Sequence, residues 1–105
     1  MTIYANSYKT CKNMNTEALF AAVCQACDCT KEEIRSSSRL RHIVIARKII
    51  SAHSRHKPLY KVGDLISRDH ATIQAYRNKF EADMLDRYFR ECYEEVDTIL
   101  TIKNV

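Results

Sequence analysis

Val62-Gly63-Asp64-Leu65-Ile66-Ser67-Arg68-Asp69-His70-Ala71-Thr72-Ile73 runs from the end of one short amphipathic segment, through a tight turn, into a second. Leu59, Val62, Leu65 and Ile66 recur at helical spacing before the turn, and Ile73, Tyr76 and Phe80 do so after it. Ser67 reads as the N-cap of the second helix. Arg68, Asp69, His70, Ala71 and Thr72 then crowd at its tip, where each can touch a base edge or a phosphate. A helix offering its first turn after a helix and a turn is how a helix-turn-helix enters a major groove. Ala71, Gln74 and Asn78 face away from the apolar side. His70 and Arg77 lie on one flank, and Thr72 and Lys79 on the other. Small residues on that face permit close approach to a duplex. Asp69 lies over the buried side, so it either reads a base from the helix tip or caps the helix, where the dipole favours a carboxylate.

Upstream, Pro58 suits the first turn of the leading helix. Before it, Ser38 can cap a long helix from Arg39 to about Ser54. Leu40, Ile43, Val44, Ile45, Ala46, Ile49, Ile50 and Ala52 make that helix apolar over most of its circumference, which marks a central core element. The remaining polar strip holds Arg41, Arg47, Lys48, Ser51 and Arg55. It is either a solvated edge or a row of phosphate contacts, for which arginine and lysine are suited.

Toward the N-terminus, Leu19, Phe20, Val23 and Cys27 define a helix over about Thr16 to Cys27, capped by Asn15 or Thr16. Thr30-Lys31-Glu32-Glu33 is a capping box that opens a short helix carrying Ile34 inward. Residues 1–14 are left as an arm, and residues 15–101 as one domain. That domain includes a C-terminal helix from about residue 82, with residues 102–105 as a tail. In the last helix Leu85, Phe89, Cys92, Val96 and Ile99 alternate steps of four and three. A coiled-coil seam shows that spacing, and so does a helix packed on its own domain. Fewer than three heptads favour packing, with a homodimer or a protein partner through this helix left open.

One Gly and one Pro in 105 residues argue against an all-β sandwich or barrel and for a small all-α bundle. With 46% hydrophobic residues the chain has enough apolar content for a core. No run approaches the length of a membrane span. The N-terminus lacks the pattern of a signal peptide, so the expected compartment is the cytoplasm. The net charge of +4 is unevenly placed. Residues 30–80 hold twelve Lys/Arg against four Asp/Glu, whereas residues 81–105 hold three against seven. A segregated positive field of this kind suits a polyanion. Cys24, Cys27 and Cys29, with Cys11 upstream, have metal-like spacing, but no second pair completes a four-ligand set. Reduced thiols in a helix otherwise act as small hydrophobes. No metal or cofactor is expected. His42, His53, His56 and His70 are scattered, and Asp69-His70 has no accompanying carboxylate or glycine-built oxyanion site, so no catalysis is expected.

Val62-Gly63-Asp64 followed by Arg68-Asp69-His70-Ala71-Thr72-Ile73 resembles the C-terminal DNA-binding domain of the bacterial replication initiator DnaA, whose motif is Ile-Gly and then Gly-Gly-Arg-Asp-His-Thr-Thr-Val. Ser38-Arg39-Leu40-Arg41 and Ala46-Arg47-Lys48-Ile49 resemble that family's basic loop and long helix, so the likeness covers about residues 15–100. It implies a small helical bundle of Trp-repressor-like class whose motif enters the major groove. By position, Arg39 would be the minor-groove arginine, and Arg47 and Lys48 would meet phosphate or a nearby base. Asp69, His70, Ala71 and Thr72 would read the major groove. Three departures stand out. Ser67 alone replaces two glycines, Ala71 replaces a hydroxyl residue, and Lys48 replaces a glutamine. There is also no G-x-x-x-x-G-K-[ST] with which to hold ATP.

The expected function is sequence-specific binding of double-stranded DNA as a stand-alone regulator or a replication-accessory factor, bacterial or phage in kind. Arg39, Arg41, Arg47, Lys48, Arg68, Asp69, His70, Ala71, Thr72 and Arg77 are its candidate contacts. The rival expectation is a protein-interaction module that docks through Tyr88, Phe89 and Tyr93 of the acidic last helix and does not bind DNA.

Overall fold

The computed structural model describes residues 16–103. Over these the chain forms α1 (Thr16–Cys27), α2 (Lys31–Arg35), α3 (Arg41–His53), α4 (Leu59–Ile66), α5 (His70–Asp83) and α6 (Arg87–Lys103), with no strand among the described residues. The fold is thus an all-α bundle. The arm of residues 1–14, the Asn15 cap and the last two residues of the tail lie outside the described residues.

The helix that is apolar nearly all round is central. Ile43, Ile45, Ala46, Ile49 and Ile50 of α3 are buried, and α3 packs against α1, α2, α5 and α6. Ile49 and Ile50 are fully enclosed, each contributing roughly 1.5–3 kcal/mol of burial energy. Leu19, Phe20, Val23 and Cys27 bring α1 onto this core, Ile34 brings α2, Val62 and Ile66 bring α4, and Ile73 brings α5. At one end His53 stacks on Tyr93 of α6, with centroids 4.9 Å apart, and its Nε2 lies 3.5 Å from an Asp97 oxygen. Burial, and then the charge of Arg55, lower its pKa to about 4.

Local chemistry sets the helix ends. The Thr30 capping box is present: Thr30 Oγ1 accepts from Glu33 N at 3.1 Å, and Thr30 N donates to Glu33 Oε1 at 2.9 Å. Helix α3 starts two residues later than expected. Its N-cap is Leu40, without a side-chain bond, and Ser38 Oγ accepts from Leu40 N at 3.3 Å instead. The last helix also differs from expectation. Helix α5 continues to Asp83, and the chain turns through Met84–Asp86 before α6 begins. Asp86 Oδ1 accepts from Tyr88 N at 3.1 Å to cap α6. Leu85 therefore sits in the turn and is 82% exposed. The inward residues of α6 are Phe89, Cys92, Tyr93, Val96 and Leu100, all covered by the domain's own core.

Ser67 is not the N-cap of the second motif helix. It ends the first, in the left-handed region at φ 56°, ψ 48°, with its N–H donated to Gly63 O. Arg68 N donates to the same carbonyl at 2.9 Å, which completes a Schellman-type stop. A single left-handed residue closes the turn, and a side chain there is strained by about 1 kcal/mol. Ser67→Gly is accordingly expected to raise stability by about 1 kcal/mol, seen as a higher urea midpoint at unchanged slope. An unchanged midpoint would count against the strain.

Candidate nucleic-acid interface

The second motif helix opens on Asp69, whose Oδ1 accepts from Thr72 N at 2.9 Å. That amide, and then the Thr72 hydroxyl, hold the carboxyl of Asp69 below its ordinary pKa. Asp69 is therefore the cap, as one of its two sequence readings had it. Thr72 spends its hydroxyl on the cap and is half-buried. His70 and Ala71 are exposed beside it, and Gln74, Ala75 and Asn78 continue the exposed face along α5. Ile73 is fully buried beneath them, with Tyr76 and Phe80 half-buried on the same side. One bond crosses the outer face: Gln74 Nε2 donates to Asn78 Oδ1 at 3.0 Å.

The expected basic strip divides when its residues are followed to their partners. Arg47 is 2% exposed, so the expectation that it meets phosphate is corrected. Its Nε donates to Ile34 O at 2.7 Å, Nη1 to Ser38 O at 2.7 Å, and Nη2 to Ser36 O at 2.7 Å and Glu33 O at 3.3 Å. Burial, and then the Arg68 charge, lower its pKa. Ser51 is likewise buried rather than part of an exposed strip. Arg68 donates to Ser36 O at 2.7 Å and to Ser67 O at 2.9 Å. Arg77 is half-buried and donates to Lys57 O at 3.0 Å and Ser54 O at 3.2 Å. Lys48 pairs with Asp83 of α5 at 3.3 Å, both largely covered. Arg41 is exposed but bridges to Asp86 at 2.6 Å and lies over the Tyr88 ring.

Arg39 stands apart. It is exposed on the loop of residues 36–40, which Arg47 and Arg68 hold by the carbonyls of Ser36 and Ser38. Together with Arg35, Arg47, Arg68 and Tyr76 it lines a cleft of about 600 Å³ between this loop and α5. Several guanidinium groups thus gather where the loop meets α5. Arg35 escaped the sequence reading altogether. Its Nη1 donates to Asp64 O at 2.7 Å and Leu65 O at 2.8 Å, closing the C-terminal end of α4. A bond to carbonyls about thirty residues away leaves no local pattern.

The three aromatic residues of the rival docking surface are largely engaged within the domain. Phe89 and Tyr93 are buried, and Tyr88, 38% exposed, lies under Arg41. Among the described residues, Cys27 and Cys92 belong to the core, and Cys24 and Cys29 pack against it. Cys27 is hydrogen-bonded with Cys92 of α6, and Cys24 with Cys29. Burial raises the thiols of these four described cysteines, Cys29 to about 12. Among the described residues no three His, Cys, Asp or Glu side chains gather as a metal site, and no helix is long and apolar enough to cross a membrane.

The family model described as the bacterial dnaA protein helix-turn-helix matches residues 16–79, which is more than half of the chain and spans α1 to most of α5. Comparison with curated proteins and with solved structures returned no match. The matched span contains the central helix, the arginine-held loop and both motif helices, and the chain therefore belongs to the family of bacterial DnaA helix-turn-helix domains.

Proposed function

We propose that this chain binds double-stranded DNA sequence-specifically, in the service of replication or transcription, with the start of α5 in the major groove and Arg39 in the adjacent minor groove. The observation that carries the reading is the exposed first turn of α5, His70 and Ala71 beside the capped Asp69–Thr72 pair, displayed next to a basic loop that arginines hold in place. The methyls of Ala71 and Thr72 suit thymine methyl groups, His70 suits a base acceptor or a thymine methyl, and a remaining lone pair of the Asp69 carboxylate can accept from a cytosine amino group. Arg39 suits a narrow minor groove, where the potential is most negative.

In this reading Arg35, Arg47, Arg68 and Arg77 position the contacting elements. Arg39, Arg41 and the exposed Arg55 supply the charge facing DNA, while Lys48 stays paired with Asp83. With about three phosphates neutralised, log affinity falls against log salt with a slope of about −2.7. The experiment is selection from a random duplex pool, followed by fluorescence anisotropy of the selected site from 50 to 200 mM salt. One enriched motif with that slope is the expected result. Flat recovery from the pool, or affinity indifferent to salt, would overturn the reading.

A further inference from the structure

We propose that Gln74, braced by Asn78, is an adenine-reading residue that extends the specificity of this interface about one helical turn beyond His70 and Ala71. The inference rests on the DNA-binding reading above and goes beyond it by naming a base and the atoms that read it.

Gln74 and Asn78 are both exposed and four residues apart on α5, on the face that also carries His70, Ala71 and Ala75. The bond from Gln74 Nε2 to Asn78 Oδ1 at 3.0 Å uses one of the two amide hydrogens. With the hydrogen anti to Oε1 given to Asn78, the other Nε2–H and Oε1 lie side by side. Adenine in the major groove shows the matching pair, N7 as acceptor and the N6 amino group as donor, and a glutamine amide can engage both at once. Asn78 restricts the rotamers of a flexible side chain before DNA arrives, so less freedom is lost on binding.

The surroundings agree with a base contact. Ala71 and Ala75 flank Gln74 and are exposed, so no long side chain holds this part of the helix away from the groove floor. At 1.5 Å per residue, Gln74 lies about 5–6 Å along the helix from His70 and Ala71. Base pairs are spaced about 3.4 Å apart, so Gln74 addresses a base pair one or two steps away. A glutamine–asparagine pair spaced i, i+4 also supports a solvated helix, and the two roles separate by experiment.

Sites are selected from a random duplex pool with the full chain as wild type and as Gln74→Ala, with circular dichroism confirming that both fold. Affinity for the wild-type site is then measured with adenine or 7-deazaadenine at each adenine position. The expected result is a motif in which one adenine loses its preference in Gln74→Ala while the other positions stay. At that adenine, 7-deazaadenine, which lacks the N7 acceptor, weakens wild-type binding about tenfold and leaves Gln74→Ala binding unchanged. Asn78→Leu keeps the adenine preference but lowers its discrimination several-fold, as expected of a positioning residue. An identical motif from Gln74→Ala, or a loss spread evenly over all sequences, overturns the inference while the DNA-binding reading stands. Failure of the wild type to enrich any motif overturns both.

Discussion

Gly63→Ala is expected to destabilise the fold by about 3 kcal/mol, toward the upper end of what an overpacked site costs. A Cβ built on Gly63 falls inside the contact distance of the Arg68 carbonyl oxygen. That oxygen belongs to the backbone and cannot rotate away. The turn it belongs to is also fixed from Gly63 itself, whose carbonyl accepts from Ser67 N and Arg68 N. Making room therefore means moving residues 67–69, and Asp69, the cap of α5, moves with them. Alanine gains about 1 kcal/mol over glycine by helix propensity, but the clash outweighs that gain. Thermal unfolding gives the direct measurement. A loss of this size lowers the midpoint by more than about 10 °C in a domain of about 100 residues. A variant as stable as wild type would show that the turn has slack, and the close packing of α4 on α5 would then not depend on glycine.

Arg47→Met should cost about 3 kcal/mol or more, although the folded chain turns Arg47 toward carbonyls rather than toward DNA. Methionine keeps most of the volume and loses the donors. The carbonyls of Ile34 and Ser38 then lose the guanidinium they accept from, while Ser36 O keeps Arg68 and Glu33 O keeps the Ser36 amide and hydroxyl, and each buried acceptor left unpaired costs about 1–3 kcal/mol. Part of this is recovered as the loop opens to water, which frees residues 36–40. Arg39 then searches many positions, so affinity for the selected duplex falls at all sequences along with stability. Arg47→Lys should fall between, because an ammonium cannot reproduce the planar fork that serves several acceptors. Urea denaturation gives the stability, and hydrogen exchange at residues 36–40 reports the loop. A loss below about 1 kcal/mol with the loop still protected would remove Arg47 from its role as the clamp.

The candidate site was legible where its determinants are local. Asp69 and Thr72 are three residues apart, and Ile73, Tyr76 and Phe80 repeat at helical spacing. The second motif helix, its cap and its outer face follow from such spacings. The likeness to the DnaA helix-turn-helix likewise rests on one continuous motif together with the helix before it. Ser67 was misplaced because serine suits both a cap and a turn. The shortened connection decides between them by needing a left-handed residue at that point.

The basic residues divide differently, for a physical reason. A positive side chain in a sequence carries no mark of its partner when the partner is a backbone carbonyl, since every residue has one. Arg35 reaches residues 29 and 30 positions away, Arg68 reaches back 32 to Ser36, and Arg77 reaches back 20 to Lys57. Only the folded chain shows that these arginines and Arg47 hold the scaffold while Arg39 stays exposed. The same holds for Leu85, which continues the apolar spacing of the last helix yet lies in the turn before it. Periodicity and caps, which act over three or four residues, determined from the sequence alone that this is a helical bundle built around a helix-turn-helix. Which cations remain available to a phosphate was decided by the tertiary structure, because that depends on carbonyls brought together from distant parts of the chain.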